Sequence, residues 1–175
     1  MKSKLLLVMF AFLGTMLFVD DISAQSKEAA FVREARISMA EARKTALSRV
    51  PGHIEKAQLE REKGKLWYEF EIHKADNNAE VEIHIDAVSG EVGEVEQVTE
   101  SGSLKEAEMF RQAKISWDDA EAAALKRVPG TIVMGELERE RGKILYEFEI
   151  ITADGKEVMI HIDAANGEVE QVEQD

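Results

Sequence analysis

The stretch from Ile37 to Val92 is written a second time from Ile115 to Val169. Roughly 60% of the aligned positions are identical, with a single deletion in one loop, and a repeat of this kind constrains the fold before any element is assigned. The identity runs in blocks. Arg49-Val50-Pro51-Gly52 returns as Arg127-Val128-Pro129-Gly130, and Tyr68-Glu69-Phe70-Glu71-Ile72 as Tyr146-Glu147-Phe148-Glu149-Ile150. Ile83-His84-Ile85-Asp86-Ala87 returns as Ile160-His161-Ile162-Asp163-Ala164. A weaker echo precedes each copy, in Lys27-Glu28-Ala29 and Lys105-Glu106-Ala107. The same local signals at the same spacing demand the same structure twice. A duplicated module usually binds something and rarely builds one catalytic centre.

Each copy opens on a capping box. In Ser38-Met39-Ala40-Glu41 and Ser116-Trp117-Asp118-Asp119 the Ser oxygen can accept from a backbone N–H three residues on, while the acid reaches back. Ala42, Ala46, Leu47 and Val50 then fall on one helical stripe, repeated by Ala120, Ala124, Leu125 and Val128. Pro51-Gly52 and Pro129-Gly130 stop the helix, because Pro cannot continue the hydrogen-bond ladder. Strands follow. Leu66, Tyr68, Phe70 and Ile72 alternate with Trp67, Glu69, Glu71 and His73, which is period two with one dry face. Val81, Ile83 and Ile85 alternate with Glu82, His84 and Asp86. Weaker candidates are Ile54–Glu62 with its counterpart Ile132–Glu140, and a short edge strand at Val92–Val98 and Val169–Val172. The expected fold is α+β: two tandem repeats, each a helix packed on a three- to four-stranded antiparallel meander.

The expected organisation is a secretory signal peptide at residues 1–24, a short helix at 25–35, one repeat at 36–98, a linker with a short helix at 99–113, and the second repeat at 114–175. Lys2 and Lys4 precede an apolar run, Leu5–Val19, and Ala24 offers a small residue at the cleavage edge. That run is about 15 residues, short of the roughly 20 that span a bilayer, so no membrane span is expected once the signal is removed. The expected destination is periplasmic or extracellular. The chain has no Cys, so packing alone has to stabilise it there. Its net charge of −13 repels nucleic acid and favours cationic partners or solubility.

The blocks together resemble the PepSY domain. The resemblance rests on Ile37-Ser38, the Ala-rich helix ending Arg49-Val50-Pro51-Gly52, Leu59-Glu60, Gly64-Lys65, Tyr68–Ile72, and Asp86-Ala87 with Gly90-Glu91-Val92, and on their second copies. It implies a domain that occurs in pro-regions of thermolysin-like metalloproteases and in small exported proteins, and that inhibits or modulates peptidases. It implies no catalytic motif and no cofactor. A restrained peptidase is therefore expected to be a separate protein.

The residues are in keeping with this. No His-Glu-x-x-His pair exists: His53, His73, His84 and His161 stand in other contexts, and no nucleophile elbow or phosphate loop is present. One polar constellation recurs, Glu69, Glu71, His84 and Asp86 with Glu147, Glu149, His161 and Asp163. Carboxylates with imidazole can hold a divalent metal. Alternation on a half-buried sheet demands the same residues without one, and cross-strand Glu and His pair directly. The second reading is taken, so no metal is expected. Trp67 and Trp117 depart from the repeat, facing Leu145 and Met39. The expected function is a non-enzymatic exported binding protein, an inhibitor or modulator of a peptidase outside the cytoplasm. The alternative is a cation-binding or structural envelope protein.

Overall fold

The computed structural model describes residues 27–99 and 104–174; the expected export signal lies outside the described residues. The first repeat runs α1 (Lys27–Glu34), α2 (Met39–Arg49), β1 (Gly52–Glu62), β2 (Lys65–Lys74), β3 (Glu80–Asp86) and β4 (Val92–Gln97). The second runs α3 (Leu104–Gln112), α4 (Trp117–Arg127), β5 (Thr131–Glu140), β6 (Lys143–Ile151), β7 (Glu157–Asp163) and β8 (Val169–Gln174). Both capping boxes form. Glu41 N–H donates to Ser38 Oγ at 3.2 Å and Ser38 N–H to Glu41 Oε2 at 2.8 Å, with Ser116 and Asp119 repeating the pattern. Each leading hairpin turns on two residues of positive φ, Lys63-Gly64 and Arg141-Gly142, the geometry that matches strand twist.

Within each repeat the strands form an antiparallel meander, and the main helix covers its dry face. Ala42 and Ala46 of α2 are fully buried, as are Phe70, Ile72, Ile83 and Ile85 beneath it. Small residues on the helix let it lie close, so that each large residue below is removed from water for about 1.5–3 kcal/mol. Tyr68 and Tyr146 share this core. Their hydroxyls donate to the carbonyls of Ile37 and Ile115, fixing the entry to each main helix.

The two meanders are not separate sheets. β1 pairs with β5, giving one eight-stranded antiparallel sheet in the order β4-β3-β2-β1-β5-β6-β7-β8. The junction is short: Lys56 faces Glu136, Ala57 faces Gly135, and Gln58 faces Met134. Ala57 and Gly135 are equivalent positions of the repeat, so a pseudo-twofold axis passes between them. The same axis passes between α2 and α4. There Arg43 meets its own equivalent, Glu121, and also bonds Asp118 at 2.5 Å. Identical copies would place like charges on this axis; the divergence of one position to Arg and the other to Glu turns repulsion into a largely buried pair.

The leading helices reach across the junction. α1 packs on β1 of its own repeat and on β5 and β6 of the other. α3 packs on β5, while its Phe110 stacks on His53 of β1 with centroids 5.0 Å apart and tilts against His73 of β2 at 5.2 Å. The segment expected to link the repeats is therefore part of their packing.

Two departures from the repeat are paired in space. Trp117 lies over Gly135, where a Cβ would come within 2.6 Å of the indole; the first repeat has Met39 and Ala57 at these positions. Trp67 lies over Gly93, where a Cβ would also come within 2.6 Å; the second repeat has Leu145 and Glu170. Each tryptophan occupies space that a glycine leaves. Introducing Gly135→Ala alone should therefore destabilise the protein by about 1–3 kcal/mol through overpacking against Trp117 and Phe148. Adding Trp117→Met recreates the pair found in the first repeat and should recover most of that loss. Denaturant unfolding of both single variants and the double variant measures the coupling, and strictly additive effects would refute the pairing.

Candidate functional site

The face of the sheet opposite α2 and α4 carries the residues with chemistry. Period-two alternation puts them there, since their neighbours on each strand are the core. Strand register aligns one row across all eight strands: Glu96, Glu82, Glu71, Lys56, Glu136, Glu147, His161 and Gln171. The neighbouring row contains His84, Glu69, Gln58, Met134, Glu149, Met159 and Glu173. Joining the two sheets thus makes one acidic face out of two short ones, with Lys56 near its middle.

Glu69 and His84 are cross-strand partners, with Oε2 3.2 Å from Nε2. Glu60 and Glu82 each approach the same Nε2 to 3.8 Å, and Gln58 donates to Glu69 at 2.9 Å. Trp67 closes one side, its ring edge-on to His84 at 5.9 Å. The imidazole is left only 6% exposed on a polar face. Burial, then Glu60 and Glu82, push the Glu69 carboxyl up to about 7, against the pull of His84. Ligand atoms of Glu60, Glu69 and His84 all lie within 4.8 Å of one another.

The second repeat keeps the pair and loses its surroundings. His161 Nε2 lies 2.9 Å from Glu147, and its Nδ1 lies 3.9 Å from Glu140. Met159 stands where Glu82 stands in the first repeat, and Leu145 where Trp67 stands. Burial raises the pKa of Glu136 and Glu138 on this side too.

The other four residues of the recurring constellation do different work. Asp86 accepts from the N–H groups of Val88 and Ser89 at 2.8 Å, so its carboxylate shapes the turn after β3 and its pKa is lowered. Asp163 accepts from Ala165 N–H at 2.7 Å in the equivalent turn. Glu71 lies 3.7 Å from Lys56. Glu149 packs with Glu157 and with Glu28 of α1; burial and these carboxylates raise it to about 7. Of the recurring constellation, the structure pairs Glu69 with His84 and Glu147 with His161. Glu60 and Gln58 join the first pair unannounced. Their signal was the alternation of β1, hidden because a bulge between Ile54 and Lys56 shifts its phase.

That bulge has its own use. It places Glu55 against buried His73, whose pKa is opposed by burial but raised overall by the hydrogen bond and charge of Glu55. The second repeat has Val133 and Ile151 at these two positions, both buried. A polar pair has been exchanged for an apolar one.

Raised carboxyl pKa values fix a sign. Between the ordinary 4.5 and about 7, the folded chain holds protons on Glu69 and Glu149 that the unfolded chain has released. Their contribution to stability is therefore fully present below 4.5, falls as pH rises, and levels off above about 7. The melting temperature should decline across this interval. Glu69→Gln should flatten the decline and raise the melting temperature by a few degrees on its alkaline side; a pH profile identical to that of the unaltered protein would refute the assignment.

A family model matches both repeats. The family described as Peptidase propeptide and YPEB domain, PepSY, matches residues 36–96 and 114–173. The YkoJ protein of Bacillus subtilis (strain 168) is 30% identical over 129 residues, covering 74% of this chain and 69% of that protein. Among solved structures, a protein from Clostridium difficile 630 aligns over 81% of this chain and 95% of its own, with 22% identity and a TM-score of 0.48. YpmB from Bacillus subtilis aligns over 78% of this chain and 95% of its own, with 14% identity and a TM-score of 0.35. With both repeats matched in turn, the chain belongs to the PepSY family, whose domain it carries twice.

Proposed function

We propose that this protein is an exported, non-enzymatic binding protein that inhibits or otherwise restrains a peptidase outside the cytoplasm. The observation that carries the reading is the PepSY domain itself, present twice and fused into one sheet with a continuous acidic face. Export is supported by the basic and apolar start of the chain, and no helix among the described residues is long and apolar enough to cross a membrane. The side chains that could do chemistry are engaged with one another: His84 with Glu69, His161 with Glu147, Asp86 and Asp163 with their turns. Such a surface restrains a partner by covering it. Its charge speeds encounter with a basic rim and makes that encounter sensitive to salt. Titrating the protein into secreted metallopeptidase activity from the same cell should abolish activity at micromolar protein in low salt and less completely in high salt. Activity untouched at both salts, with no peptidase co-purifying, would refute the inhibitor reading.

A second reading, cation binding, has one observation in its favour: the convergence of Glu60, Glu69 and His84. A metal that binds only the folded state stabilises it by about 2.7 kcal/mol at 100 times its Kd. The pairing of His84 with Glu69 needs no metal, so melting curves should be unchanged by zinc, manganese or calcium. A rise that His84→Gln removes would favour the cation instead.

A further inference from the structure

The sheet ends on two strands that are exposed along their whole length, β4 and β8. Among the described residues each has a single neighbour, so one side of its backbone is unpaired within the sheet. The N–H of Val98 donates to Glu80 at 3.0 Å. Backbone groups alternate along an antiparallel ladder, so those of Glu96 also face β3, while those of Val95 and Gln97 face the open edge. The register of β8 on β7 repeats that of β4 on β3 and turns Val172 and Gln174 outward in the same way.

The two faces of each edge differ. On the helix side Val92 and Val95 are 40% and 41% exposed, and Val169 and Val172 are 39% and 36% exposed, although they stand opposite fully buried isoleucines. Beside Val95 lies a shallow depression of about 270 Å³ bounded by Val50, Pro51 and Val81, with Arg49 and Lys74 at its rim. On the opposite side, Glu96 ends the row that continues through Glu82 and Glu71, and Glu173 stands beyond Met159 on the other edge.

An unpaired edge is normally blunted by charge so that copies of the chain do not join. Here acidic residues dominate: Glu91, Glu94 and Glu96 flank one edge and Glu168, Glu170 and Glu173 the other, in a chain of net charge −13. The nearby cations are Arg49 and Lys74 at the rim beside Val95, and Lys143, which is bonded to Glu170. A second copy would set like charges opposite each other, which is destabilising. A strand of opposite charge meets no such barrier.

We propose that β4 and β8 are docking edges for an extended segment of a partner protein in which apolar and basic residues alternate. The segment adds as a further strand: its backbone pairs with Val95 and Gln97, or with Val172 and Gln174. Its apolar side chains cover the exposed valines, and its basic side chains meet Glu96 or Glu173. The edges lie seven strand intervals apart, roughly 34 Å, so both can be occupied at once.

The proposal rests on reading the protein as a binder and is independent of whether the partner is a peptidase. The test uses the whole chain and a blocked peptide of alternating valine and lysine, with alternating valine and glutamate as the control. Calorimetry at low salt should show the lysine peptide binding at one equivalent per edge, and the glutamate peptide not binding. Val95→Pro removes an outward N–H without touching the internal ladder and should abolish one site; Val95→Pro with Val172→Pro should abolish both. Glu96→Lys with Glu173→Lys leaves the backbone intact and should reverse the preference between the peptides. Equal binding of the two peptides, sites that survive the double proline variant, or a dimer of the chain that this variant dissolves would each overturn the proposal. Peptide binding without effect on any peptidase would leave the edges standing and remove the inhibitor; inhibition that survives the edge variants would do the reverse.

Discussion

The close approach of β1 and β5 at Ala57 and Gly135 is the contact on which the rest of the molecule depends. It converts two four-stranded meanders, each with two edges, into one sheet with two edges in all. A lone module of this size buries too small a fraction of its surface to be comfortably stable without disulfides, and this chain has no Cys. The junction pairs only three positions on each strand, too few to hold two domains alone. It is reinforced from the helix layer by Arg43 between Asp118 and Glu121, and by α1 and α3, each of which packs on both repeats.

Divergence of the two copies is organised around that axis. A position and its equivalent meet face to face only there, so only there must the copies differ in order to agree. Arg43 against Glu121 is such a difference, and so is Ala57 against Gly135. Other changes are matched inside one repeat: Trp117 with Gly135, Trp67 with Gly93, Glu55 with His73. Close packing enforces this, because a side chain enlarged by several atoms needs a neighbour reduced by about as much.

The acidic face has a cost. Carboxylates crowded in rows across eight strands repel one another, and several are held with raised pKa values, so this face lowers stability at neutral pH rather than adding to it. Lys56 relieves the repulsion only locally, beside Glu71.

The sequence by itself determined the elements within each repeat. Caps, stops and alternation act over a few residues, and the same signals appear twice, so helix, stop and meander were readable from Ser38, Pro51 and Tyr68 onward. It also marked the Glu–His pair, since Glu69 and His84 fall on matching faces of neighbouring strands. What it did not reveal is everything that depends on how the repeats sit together. Nothing local announces that β1 will pair with β5, that α3 will lay Phe110 on two histidines of the other repeat, or that Glu60 will turn towards His84 past a bulge. Asp86 and Asp163 shared the period of the pair yet were drawn into turns, because backbone N–H groups within 3 Å of a carboxylate outcompete more distant partners. Period fixes which face a side chain takes. Which of its neighbours on that face it bonds is decided by register and twist, and these exist only once the sheet has closed across its axis.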